Sequence, residues 1–160
     1  MSVTTALAGL NTALGSIDPS PQPVPANVYT WPDDYASMDY TVFPFIIVAQ
    51  VVNRWFPFMD VSHGTDAHTW LAEINICLAK GPLTKMEAAK EAEAKQVPWL
   101  LALGTTLSAN RSLGGVAQAI GTGGQLFRYR VGHIGWDKQQ VFWGVRAEVQ
   151  VYELHSLPAS

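Results

Sequence analysis

The sequence predicts an α+β fold: a mostly antiparallel sheet with a long C-terminal hairpin, and an N-terminal helix and a long Ala-rich helix packed on one face. Three stretches carry that prediction. Residues 125–154, QLFRYRVGHIGWDKQQVFWGVRAEVQVYEL, read as two strands joined by the polar turn Asp137-Lys138-Gln139-Gln140. In the second arm Val141, Trp143, Val145, Ala147, Val149 and Val151 share one face. Phe142, Gly144, Arg146, Glu148, Gln150 and Tyr152 share the other, which is the alternation of a strand with one buried and one wetter side. Trp70, Ala72, Ile74, Ile76 and Leu78 alternate with Thr69, Leu71, Glu73, Asn75 and Cys77 in the same way. Between these strands, Thr84 and Glu87 have the spacing of a capping box ahead of Ala88, Ala89, Ala92 and Ala94, residues that favour helix.

The remaining elements follow in order. Val3, Leu7, Leu10, Leu14 and Ile17 recur at helical spacing, and Gly15 marks the stop. Pro19, Pro21, Pro23 and Pro25 make the next segment a stiff, extended connector. Asn27 to Trp31 is a short strand stopped by Pro32, and residues 33–39 form a polar loop. Phe43 to Val52 is nearly continuously apolar, as a strand buried on both faces would be. Arg54 to Val61 keeps strand character, with Pro57 marking an edge or a bend, and a turn follows at residues 62–66. Pro98 either kinks the long helix or opens a second one, and the helix finishes near Ala109-Asn110. Leu100, Leu101, Leu103 and Leu107 make its later half the more buried. Residues 110–124 read as a loop with room for one brief strand. Trp136 and Trp143 are expected to approach each other across the hairpin. With no repeat and no second core, residues 1–160 read as one domain.

Charged residues make up only 14% of the chain, against about 25% in an average soluble protein. Such a surface suits contact with another subunit, or else a large core under a Ser/Thr/Gln shell. Residues 1–73 carry the acids Asp18, Asp33, Asp34, Asp39, Asp60, Asp66 and Glu73 and the single base Arg54, whereas the later half is rich in bases. That polarity fits head-to-tail contacts between subunits and lacks the clustered basic excess of a general nucleic-acid binder. Cys77 is the only cysteine, which excludes an intrachain disulfide and a multi-cysteine zinc site. The N-terminus lacks the basic flank of a signal peptide, and the apolar run Val42–Val52 is too short to span a bilayer. These features predict a protein made and used in a cytoplasm or in an assembly formed there, with no membrane partner.

No site for chemistry stands out. His63, Asp66 and His68 are potential metal ligands, but their spacing matches no zinc pattern and a polar loop tip explains them. Gly121, Gly123 and Gly124 lack the Lys-Ser/Thr of a phosphate loop and lead into a strand rather than a helix. No serine sits in a nucleophile elbow, Cys77 is expected to be a buried, inert thiol, and His133 and His155 are isolated. The expectation is therefore no catalytic residues, no cofactor and no metal. Arg128, Arg130 and Arg146 are placed to gather across the hairpin. They form either a weak phosphate footprint or, the favoured reading, a subunit contact. Their acidic counterparts would be Glu148 in the same chain or Asp33, Asp34 and Asp39 of a neighbour.

The layout resembles the tail terminator (tail completion) proteins of long-tailed bacteriophages. The parts that carry the resemblance are ALAGLNTALGSI, VYTWP, the strand pair around FPFIIVAQ and WLAEINICLA, the helix EAAKEAEAKQVPWLLALGTTL, an LGG loop and the closing VGHIGWDKQQVFWGVRAEVQVYEL. The proline-rich connector and the aromatic middle depart from that pattern. The resemblance implies a structural virion protein of the neck, assembled in the host cytoplasm and not an enzyme. It implies a hexameric ring that caps the tail tube, ends its polymerisation and offers a surface to a head-side connector or stopper protein, with DNA passing non-specifically through the lumen. Two alternatives remain open: a tail-tube or other neck subunit, and a small-molecule-binding α+β domain or enzyme.

Overall fold

The computed structural model describes residues 3–52, 60–62, 65–113, 119–121, 125–137 and 140–156. The elements run α1 (Val3–Leu14), β1 (Asn27–Thr30), a 3-10 turn (Tyr35–Ser37), β2 (Phe45–Gln50), β3 (Asp60–Ser62), β4 (Thr65–Lys80), α2 (Lys85–Ala109), β5 (Ala119–Ile120), β6 (Arg128–Asp137) and β7 (Gln140–Ser156). The expected α+β fold is present. Among the described residues seven strands join one sheet, which is antiparallel except where β1 lies parallel to β2. Residues 53–59, expected to extend a strand, lie outside the described residues.

The sheet is built outward from β4 and β7, which pair from Thr65 opposite Ser156 to Lys80 opposite Phe142 with one register shift between Cys77 and Ala79. β4 then takes β2 and β3 along its other edge, and β7 takes β6 and β5. The alternation in β4 and β7 sends Trp70, Ala72, Ile74, Ile76, Trp143, Val145, Ala147, Val149 and Val151 to one face. They form the main core there with α1 and α2. β2 is buried over Phe45–Ala49. Ile46 and Val48 join the main core, while Phe45 and Ile47 join a second cluster on the other face.

α1 presses Leu7, Leu10 and Leu14 into the main core, and Ile17 follows them just beyond its end. Its Asn11 side chain donates to the Val28 carbonyl at 3.0 Å and to the Thr30 hydroxyl at 2.9 Å. The helix thus occupies an outer-edge acceptor of β1 that would otherwise be open to another strand. α2 begins with the predicted capping box: the Thr84 hydroxyl accepts from the Glu87 N–H, and the Glu87 carboxylate accepts from the Thr84 N–H. Caps of this kind contribute about 1 kcal/mol.

Pro98 neither ends nor restarts the helix, which runs through it to Ala109. Proline has no N–H to give the carbonyl four residues earlier, here that of Ala94. The Gln22 side chain of the proline-rich connector donates to that carbonyl at 3.3 Å, so a residue remote in sequence replaces the lost helical donor. The later half of α2 is the more buried, but through Trp99, Ala102, Leu103, Thr106 and Leu107. Leu101 points outward and is 67% exposed, because the 3.6-residue repeat that buries Trp99 and Leu103 rotates the residue between them away from the core.

The two tryptophans of the hairpin do not meet. Trp143 lies in the main core and stands opposite His133, whereas Trp136 packs on the second face, after a register shift between Gly135 and Asp137. Gly144 shows how close the central strands approach. β4 carries an irregularity between Cys77 and Ala79, and a methyl group placed on Gly144 would sit 1.9 Å from the Ile76 carbonyl oxygen. Gly144→Ala is therefore expected to destabilise the fold by about 3 kcal/mol, read as a lower urea midpoint with little change in slope.

Candidate functional site

The sheet face turned away from the helices is divided in two. Over one half, the segment after β1 folds back as a lid of rings. Tyr29, Phe45, Ile47, Cys77, Ile134 and Phe142 are buried there beneath Trp31, Met38, Tyr40, Phe43 and Trp136. Tyr40 stacks on Phe142 with centroids 5.6 Å apart, Phe45 meets Phe142 edge-on at 5.2 Å, and Trp31 meets Trp136 edge-on at 5.2 Å. Offset and edge-on pairs place the positive rim of one ring against the negative face of another, worth about 0.5–1.5 kcal/mol each beyond burial. The Tyr29 hydroxyl accepts from the Asp39 N–H at 3.0 Å and ties the lid to β1.

The other half of this face is polar and uncovered among the described residues. It brings together the three arginines expected to gather. Arg128 pairs with Glu148, its cross-strand neighbour. Arg130 stands directly opposite Arg146 and donates to the His133 carbonyl at 3.2 Å. Arg146 turns the other way, its Nε donating to Asn75 Oδ1 at 2.6 Å. Arg128, Tyr129, Arg130, Arg146 and Glu148 line a cleft of about 270 Å³. A neighbouring cleft of about 320 Å³ lies between Leu71, Gly121, Gln150 and residues 125–128.

Asn75 is the residue that pattern reading missed. It is fully buried, accepts from Arg146, and donates to the Ile47 carbonyl at 3.3 Å and to Glu73 Oε1 at 3.2 Å. The available signal was an amide flanked by Ile74 and Ile76 in an otherwise apolar run. A buried amide in that setting needs partners, and it points to a polar seam on one side of the strand.

The three acids are not joined to the arginines within the chain. Asp33 is exposed; Asp34 Oδ2 accepts from the Thr30 N–H at 2.7 Å. Asp39 Oδ1 accepts from the Thr41 hydroxyl at 2.6 Å and the Thr41 N–H at 2.9 Å, and these two bonds hold its carboxyl below the usual aspartate range. All three sit on the lid segment.

The other residues singled out from sequence have structural surroundings. Cys77 is buried in the aromatic half, and loss of hydration pushes its thiol far above the ordinary cysteine range, against a smaller lowering by Arg146. His133 Nε2 accepts from the Leu83 N–H at 2.9 Å, which fastens the entry to α2 onto β6. Gly121 has a φ of +77° and donates its N–H to the Gln150 carbonyl; Gly123 and Gly124 lie outside the described residues. His63 also lies outside them, while the β4–β7 register sets Asp66 opposite His155 and His68 opposite Glu153. Among the described residues no helix is long and apolar enough to cross a membrane.

No protein-family model matches the chain, and no curated protein matches its sequence.

Asn75→Ala removes the acceptor of Arg146 and leaves that guanidinium facing a cavity between β4 and β7. The expected cost is about 2 kcal/mol, measured as a shift in the denaturation midpoint.

Proposed function

We propose that the protein is a structural subunit of a bacteriophage tail, assembling into a ring that caps the tail tube, ends its growth and presents a surface to the head-side connector. The observation that carries this reading is the divided sheet face. One half is sealed by the chain's own rings, and the other is left as a broad, shallow, arginine-bearing surface suited to a protein partner. Support also comes from the layout that resembles tail terminator proteins, now with both helices on one side of a single, mostly antiparallel sheet. The low overall charge fits the same picture, because a surface with few ions loses little hydration on entering an interface. DNA passing through the ring would meet it loosely and without sequence preference.

The test is assembly. Purified protein is expected to give the mass of a closed ring, six copies in this reading. Added to polymerising tail-tube subunits of the same phage, it should shorten the tubes seen by electron microscopy as its molar ratio rises. Unaided growth into long stacks would identify a tube subunit instead. A chain that stays monomeric, leaves tube length unchanged and gains thermal stability from a small ligand would overturn the assignment.

A further inference from the structure

We propose that the Arg130–Arg146 pair on the open half of the sheet face receives the acidic lid segment, residues 33–39, of a second copy of the chain. The inference deepens the assembly reading and rests on it for the presence of a neighbour. Its ground is a charge arrangement that the single chain leaves unbalanced.

Arg130 and Arg146 occupy directly paired positions on β6 and β7. Like charges at such positions repel, and Arg128 alone of the three arginines pairs with a carboxylate among the described residues. Arg130 is held by the His133 carbonyl along its own strand, and Arg146 by Asn75 on the far side of β7. The two guanidiniums are thus drawn apart, and the cleft of about 270 Å³ lies against both. A carboxylate entering that cleft can accept from both arginines and convert a repulsive pair into a bridged one.

The lid acids of the same chain are engaged elsewhere: Asp34 accepts from the Thr30 N–H, and Asp39 from the Thr41 hydroxyl and N–H. Asp33 and Asp34 lie in the turn between Trp31 and Tyr35, directly after β1. Asp34 is held at Thr30 and Asp39 at Tyr29, both on β1. The sheet order sets β1 three strands from β7 and four from β6, roughly 14–19 Å at about 4.8 Å per strand and beyond the screening length of about 10 Å at 0.1 M salt. Acidic and arginine patches therefore lie towards opposite sides of the sheet, separated across the strands. A second copy displaced across the strands brings one onto the other. Asp33 is exposed and Asp39 is held in its ionised form by Thr41, so both present charge to a neighbour. A DNA backbone fits less well, because two unmatched guanidiniums beside Glu148 offer a slot for one carboxylate rather than a track for successive phosphates.

The experiment is a charge swap read by analytical ultracentrifugation at low and high salt, with near-ultraviolet circular dichroism of the tryptophans to verify folding. Arg130→Glu is expected to weaken self-association about tenfold or more, and Arg130→Gln by less. Asp33→Arg combined with Asp39→Arg should weaken it likewise. Joining the reversals on both sides should restore association to within about threefold of the original. Association unchanged by Arg130→Glu, or single defects that simply add without rescue, would sink the contact. So would a wild-type chain that is monomeric at every concentration. Loss of binding to a short DNA duplex with association untouched would assign the patch to nucleic acid. If the swap rescues assembly but the assembly is a dimer, or fails to shorten tail tubes, the contact stands and the ring-capping reading falls.

Discussion

The antiparallel union of β4 and β7 is the constraint on which the other parts depend. Each strand alone is an alternating ribbon with no means of burying either side. Paired over their length, they set two opposed surfaces at once, since every cross-strand pair shares a face. The aliphatic side, from Trp70 and Val151 to Leu78 and Trp143, calls for the helices. The other side carries Cys77 and Phe142 at one end and Asn75, Arg146 and Glu148 towards the middle. A one-residue slip in this pairing would exchange the two sides along one strand and remove both the core and the arginine surface.

The second face is managed by two different physical means. Where the side chains are aromatic, the chain covers them itself, because rings of that size left in water would cost more than ordering the lid. Where they are polar, cover is unnecessary, provided that the buried members have partners. Asn75 meets this condition by linking Arg146, Glu73 and the Ile47 carbonyl across three strands. The network keeps Arg146 in place but does not neutralise it. The face thereby keeps Arg130 and Arg146 in directly paired positions, and among the described residues neither has an ion-paired carboxylate.

Long-range compensation recurs elsewhere. Pro98 would ordinarily break α2, yet Gln22 supplies the missing donor from a connector more than seventy residues earlier. The stiff proline run holds that glutamine beside the helix. Gly144 similarly has no local purpose in an alternating strand. Its reason is the irregularity in β4 that brings the Ile76 carbonyl into the space a methyl group would need.

Periodicity alone was enough to read the helices, the long strands, the capping box, the apolar β2 and the overall α+β class, because those properties depend on neighbours a few residues apart. The gathering of Arg128, Arg130 and Arg146 was legible for the same reason, being a matter of hairpin register. Periodicity could not say which partner Trp136 takes, since its ring meets Trp31, more than one hundred residues earlier in the chain. It could not tell whether Pro98 interrupts α2, since the answer lies with Gln22. Nor could it find Asn75 as the hub of the polar seam, or separate the acidic lid from the arginines by the width of the sheet. Each of these depends on atoms distant in the chain becoming adjacent in space. Local pattern determined what each segment would become; only the packed sheet decided which side chains meet across it and which charges are left facing outward.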